Sequence, residues 1–343
     1  MPDEFELIAR YFTRPVRQAV LGVGDDCALL HCGPGRQLAI STDMLVAGRH
    51  FFPDADPFLL GHKCLAVNLS DLAACGARPL AFSLALALPQ ADDAWLEPFS
   101  KGLLALADAH GCELIGGDTT RGPLTICITV FGEVPADASA YPVPTQAMLR
   151  SGAHVGDDVY VSGSLGDAAL ALRAMQGTCA LPARLLHGAR ARLEQPTPRV
   201  ALGVALRGIA SACADISDGL MGDLGHILER SGFGARVDVD KVLPLLATRQ
   251  AYGGGAAQFD SDLGARTALQ CVLAGGDDYE LVFTAPQSQQ GILNALSDRL
   301  QLPLTRIGTI EAAPGLRLVD ARGNTVPQNF AAFDHFAAVP GLP

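Results

Sequence analysis

Six aspartates recur where apolar runs give way to glycine or small polar residues: Asp26 in GVGDD, Asp43 in ISTD, Asp71 in NLSD, Asp118 in IGGD, and Asp215 and Asp218 in DISD. One aspartate behind a glycine is an ordinary turn residue. Six of them, each just beyond a strand of an α/β sheet or on the inner turn of a helix, would share one space, because the loops there converge. Two carboxylates ~4 Å apart repel by on the order of 4 kcal/mol at an effective dielectric near 20, and bound cations remove that conflict. Oxygen ligands without Cys or His partner spacing select magnesium, manganese or calcium over zinc or copper. Ser41 and Thr42, directly before Asp43, add two hydroxyls to the candidate ligand set. Asn68 and Asp71 share a face of an otherwise apolar helix and need a partner there, either a neighbouring loop or, the preferred reading, a metal ion.

Magnesium held by a few carboxylates keeps positions open for substrate phosphates, which points to ATP chemistry. No Gly-x-x-x-x-Gly-Lys-Ser/Thr loop occurs, and GVGDDC places Cys27 where a dinucleotide fingerprint needs glycine. The turn VSGSLGD (161–167) either offers amides to an anion or simply joins a strand to a helix. Arg150 is either a phosphate clamp or a solvated charge. Ser217 lies between two acids, and no histidine stands in a context that marks it as a base for a nucleophile. His50, in AGRHFF, reads first as a packing or capping residue. The chemistry left is direct displacement, in which the protein positions groups and neutralises charge.

The elements that must position these residues alternate. Helical spacing of Phe5, Ile8, Tyr11 and Phe12 predicts a helix over 3–12. Strands are expected at 27–31, 37–42, 79–88, 112–115 and 124–134, and helices over 57–75 and 92–110. The proline-rich VPADASAYPVPTQ (134–146) marks a crossing, so domains are expected at 1–137 and 138–343. In the second, 158–163 and 304–310 read as strands, and 164–175, 199–210 and 219–232 as helices. YGGGAA (252–257) reads as a mobile loop. The fold class is α/β (α+β), with the candidate site in a cleft between two domains.

Composition bounds the partners. The chain has 343 residues, 49% hydrophobic and 18% charged, which suits two globular domains. A formal charge of -11 without a Lys/Arg cluster argues against nucleic acid. Nine cysteines with no Cys-x-x-Cys pair read as reduced thiols in a cytoplasmic protein, those at 64, 112, 127, 213 and 271 in apolar surroundings. MPDEFELIARYF lacks the features of an export signal, and no apolar run approaches the ~18 residues of a membrane span.

In order, GVGDDCALL, ISTDMLVAGRHF, KCLAVNLSDLAACGARP, IGGDTTRG, LRSGAHVGDDVYVSGSLGD, DISDGLMGDLGHI and GGDDYELVF resemble the thiamine-monophosphate kinase family, collinearly from about residue 5 to FDHF near the end. Its wider superfamily includes aminoimidazole ribonucleotide synthetase. The resemblance implies a PurM-like two-domain fold and a homodimer whose N-terminal mixed sheets pair into a β-barrel. The implied reaction is phosphorylation of thiamine monophosphate by ATP with several Mg2+ ions. Carried over by motif, the magnesium ligands are Asp26, Ser41, Thr42, Asp43, Asp71, Asp118, Asp215 and Asp218, with Asp43, Asp71 and Asp118 at the chemistry. Nucleotide contacts fall on Gly117, Asp118, Arg150 and Ser217, and substrate contacts on His50, Asp277 and Phe333. Two positions depart from the family, which more often has glutamate at 277 and Trp or Tyr at 333. A shorter acid reaches less far, whereas a phenylalanine face still stacks on a cationic ring. The alternatives are another ATP-dependent synthetase or dehydratase of the superfamily, or a non-catalytic divalent-ion scaffold. Thiamine itself enters only through the resemblance.

Overall fold

The computed structural model describes residues 4–23, 27–136 and 145–327. The chain begins with α1 (Glu4–Leu7), which passes into a π-helical turn to Phe12, then β1 (Ala19–Leu21), β2 (Leu29–Leu30), β3 (Arg36–Val46), α2 (Pro57–Ala74), β4 (Arg78–Leu88), α3 (Asp93–His110), β5 (Glu113–Arg121) and β6 (Thr125–Pro135). There follow β7 (Asp158–Ser162), α4 (Asp167–Met175), α5 (Ala183–Glu194), α6 (Val200–Leu206), β8 (Ala212–Asp215), α7 (Leu220–Ser231), β9 (Gly234–Asp238), α8 (Val239–Val242) and α9 (Ala247–Gln250). The last elements are α10 (Gly255–Phe259), α11 (Ala265–Ala274), β10 (Leu281–Ala285), α12 (Gln290–Leu300), β11 (Leu304–Glu311) and β12 (Gly315–Val319).

Two compact units result, one of residues up to Leu149 with Glu194–Asp215, the other of Arg150–Leu193 with Ile216 onward. This division differs from the single linear boundary expected at 137/138. Residues 194–215 join the first unit because α6 lies hard against α2: a Cβ on Gly203 would stand 2.0 Å from the Ala73 carbonyl oxygen. The loop expected at 252–257 is also different, since α10 starts at Gly255. Gly254 and Gly255 take φ of 93° and 80°, which turn the chain into that helix.

In the first unit β3, β6, β4 and β5 lie in that order, antiparallel except for the parallel pair β4 and β5. Asp56 caps α2 by accepting from Phe58 N and Leu59 N at 2.9 and 3.1 Å, and Pro57 supplies a preset φ at the first turn. The helix is apolar nearly all round, and Leu65, Leu69 and Leu72 are fully buried. It meets α3 at two glycines: a Cβ on Gly61 would stand 2.2 Å from Phe99 O, and one on Gly102 1.9 Å from Phe58 O. The other face of the sheet exposes apolar side chains on β3, with Ile40 59% and Met44 55% accessible.

In the second unit β12, β9, β11, β7 and β10 are successive neighbours, with only β12 and β9 parallel. Every residue of β7 and β10 is buried, the mark of strands covered on both faces.

Candidate active site

Asp43 lies inside a strand with Ser41 and Thr42, not just beyond its end as the sequence suggested. β3 pairs with β6 over eleven consecutive positions without a bulge, because its polar residues occupy positions that alternate between faces and leave the ladder intact. Alternation sends Ser41 and Asp43 toward α2, and Thr42 to the opposite face, where its hydroxyl is 2.9 Å from that of Thr129. Ser41 Oγ donates to Asp71 Oδ2 at 2.5 Å. Asp43 N donates to Asn68 Oδ1 at 3.1 Å, while Asn68 Nδ2 donates to Cys64 O at 2.9 Å. Asn68 is fully buried and is therefore spent on fastening β3 to α2, the structural alternative that the sequence left open. Ser41, Asp43 and Asp71 form one oxygen-rich group at that junction. One turn position away Ser70 Oγ donates to Asp215 Oδ2 at 2.8 Å, which ties β8 to the same helix.

Asp118 stands elsewhere. It lies inside β5, again within a strand instead of beyond it, and is exposed. The register runs Asp43, Ile128, Leu84, Gly117 across the sheet, with Met44, Cys127, Ala85, Asp118 as the next row. Three strand spacings make roughly 14 Å between the two edges. Within this unit the sheet therefore separates Asp118 from Asp43 and Asp71, contrary to the gathering in one crevice that the sequence suggested. Gly117 has φ 154°, and a Cβ there would stand 1.8 Å from Leu84 O, so no side chain fits beside Asp118. His50 ends a tight turn in which its Nδ1 accepts from Val46 N at 3.0 Å, leaving Nε2 as the protonated nitrogen of the neutral ring.

The second unit holds Ser217, Asp218, Asp277 and Arg150. Ser217 N and Asp218 N both donate to Asp223 Oδ2, each at 3.1 Å. Burial pushes the Asp223 carboxyl up to about 7, against the lowering effect of those two amides. Asp277 N donates to Ser217 O at 2.9 Å, so the loop of Asp277 lies directly on that of Ser217. Tyr279 Oη donates to Asp277 Oδ1 at 3.2 Å. Arg150 is exposed, and its charge lowers the Asp223 carboxyl in turn. Asp26 and Phe333 lie outside the described residues.

Among the described residues no three His, Cys, Asp or Glu side chains converge as a metal site. The donors at the junction of β3 and α2 are nonetheless all oxygens, the set that suits a hard cation. Sequence reasoning missed Asp223, which follows DISDG by four residues in the first turn of α7, and the buried acids of GGDDYEL other than Asp277. The repeated acids in that motif were the available signal. The turn at 161–167 is settled as structural in one respect: Gly166 N donates to both carboxylate oxygens of Asp278 at 3.0 Å.

The family model for AIR synthase related protein, N-terminal domain, matches residues 24–134, and that for its C-terminal domain matches 154–321. A thiamine-monophosphate kinase of Salmonella typhimurium is 46% identical over 340 residues, covering 97% of this chain and 98% of the relative. The chain belongs to the thiamine-monophosphate kinase family. Membership makes it an enzyme and accounts for its two-domain α/β fold with mixed sheets. The thiamine-monophosphate kinase of Stenotrophomonas maltophilia K279a has a TM-score of 0.78 at 45% identity, covering 93% of this chain and 95% of that one. A solved structure of AaThiL complexed with AMPPCP and TMP has a TM-score of 0.72 at 26% identity, covering 89% of each chain.

Proposed function

We propose that this enzyme transfers the γ-phosphoryl group of ATP onto the phosphate of thiamine monophosphate, giving thiamine diphosphate by direct in-line displacement. The observation that carries the reading is the full-length likeness to thiamine-monophosphate kinases, among which the related AaThiL is complexed with AMPPCP and TMP. Several Mg2+ ions are assigned to Asp26, Ser41, Thr42, Asp43, Asp71, Asp118, Asp215 and Asp218. When bound they neutralise phosphate charge and align the transferring group. Gly117, Asp118, Arg150 and Ser217 are assigned to the nucleotide, and His50, Asp277 and Phe333 to the acceptor. Gly117 and Asp118 are both exposed on β5, which supports a stretch of backbone that a polyphosphate can reach.

A homodimer belongs to the same proposal. β3 and β5 are the two edges of the first unit's sheet, and its exposed face carries Leu38, Ile40 and Met44. Closing two such sheets edge to edge into a barrel sets β5 of one copy beside β3 of the other, which brings an Asp118 toward an Asp43 across the interface. A reducing cytoplasm suits the nine free cysteines.

The test is an assay with purified protein, ATP, magnesium and thiamine monophosphate. Wild type is expected to form thiamine diphosphate and to stop when the metal is chelated. Asp118→Asn, at an exposed position, should keep its Tm and lose at least about a hundredfold in kcat/KM. Normal turnover by that variant removes Asp118 from the mechanism.

A further inference from the structure

The loop at 275–280 is held in a conformation that ordinary side chains resist. Asp277 and Tyr279 take φ of 67° and 51°, with the fully buried Asp278 between them. Three main-chain bonds lace this loop to the one before α7: Asp277 N to Ser217 O, Tyr279 N to Ile216 O, and Ile216 N to Glu280 O, at 2.8 to 2.9 Å. A Cβ on Gly276 would stand 2.4 Å from Ser217 O, so the two loops are also in close contact.

One cation holds the assembly from α5. Arg192 Nη2 donates to Glu280 Oε1 at 2.8 Å and to the Asp278 carbonyl oxygen at 3.2 Å. Glu280 is 0% exposed, and its other oxygen accepts from Ser162 Oγ at 2.6 Å. Gly163, at φ 59°, leaves the room that this carboxylate fills, since a Cβ there would stand 2.2 Å from Oε1. Arg192 Nε is buried without a hydrogen-bond partner among the described residues, an orphaned donor tolerated to keep the other contacts.

We infer that Arg192 is a positioning residue: with Glu280 it clamps the 275–280 loop against Ile216 and Ser217 and so presents Asp277 to the acceptor. The inference rests on the reading of Asp277 as an acceptor contact given above. The clamp bears directly on the acceptor loop through Arg192 and Glu280, and on the nucleotide loop only at second hand through the main-chain bonds. A merely structural Arg192 would stabilise the whole unit without favouring either substrate.

The experiment uses the full chain. Arg192→Met alone leaves Glu280 buried without a counter-charge, so it is paired with Glu280→Gln, whose amide oxygen still accepts from Ser162. In the double variant, amide exchange at Ile216, Asp277 and Tyr279 should rise about tenfold or more while that of β7 stays at the wild-type rate. KM for thiamine monophosphate should rise about tenfold with KM for ATP within about threefold. Adding Asp277→Ala should then cost less than it does in wild type, because both changes remove one contact. Wild-type exchange in the two loops overturns the clamp, as does faster exchange spread over the whole unit. Raised loop exchange with an unchanged KM for thiamine monophosphate overturns the positioning role. If wild type transfers no phosphate to thiamine monophosphate, the proposed function fails instead, and the exchange rates alone decide the clamp.

Discussion

At the scale of single residues, Asp223 shows how burial and hydrogen bonding compete. Its carboxyl is driven up to about 7 chiefly by burial, although two amides hold one of its oxygens. The folded chain therefore keeps a proton that the unfolded chain releases near pH 4. Its contribution to stability is complete below about pH 4 and declines as pH rises toward 7, by at most about 1.4 kcal/mol per unit. Asp223→Asn keeps an acceptor for Ser217 N and Asp218 N and removes the titration. In metal-free protein, calorimetric Tm of this variant should vary less between pH 4 and 7 than that of wild type. Parallel profiles would show that Asp223 does not carry that proton. Asp278, fully buried and also driven upward by burial first, adds to the same trend in both proteins.

At the scale of elements, the crossing of α2 and α3 depends on two missing side chains. Gly102→Ala places a Cβ 1.9 Å from Phe58 O, a backbone atom that cannot swing aside. Urea unfolding should show a loss of about 1–3 kcal/mol, the usual cost of overpacking. A loss near zero would mean that the helices part easily. These helices were legible in advance: Asp56 and Pro57 open α2, and Asp92 with Gly111 bounds α3. The strand ends were not. Polar residues such as Asp43 and Asp118 look like the end of an apolar run, yet a paired strand continues through them because its neighbour supplies the hydrogen bonds. The short helices after residue 238 lack a long periodic pattern and were equally hidden.

At the scale of the whole molecule, the separation of Asp43 from Asp118 across one sheet makes association testable. The protein should sediment as a dimer, and Ile40→Glu with Met44→Glu, on the exposed sheet face, should shift it toward monomer and lower activity. Complementation is the sharper measurement. Asp43→Asn and Asp118→Asn should each be inactive alone. Co-expressed, they should recover about a quarter of wild-type activity, because half the dimers are hybrid and each hybrid has one intact site. Hybrid dimers without activity would place both aspartates in the same protomer's site.

The expected chemistry came from residue types. Oxygen donors without thiol or imidazole partners, no P-loop and a net negative charge pointed to a cation-assisted phosphate reaction, and the order of motifs pointed to the family. Those properties are local, since ligand preference depends on donor atoms and their immediate neighbours. Tertiary structure decided which donors meet. Asn68 became a fastener of β3, Asp118 was set on the far edge of the sheet, and Arg192 was brought onto a loop 86 residues further along the chain. Strand order and helix packing settle such distances through contacts remote in sequence, which no spacing of residues along the chain records.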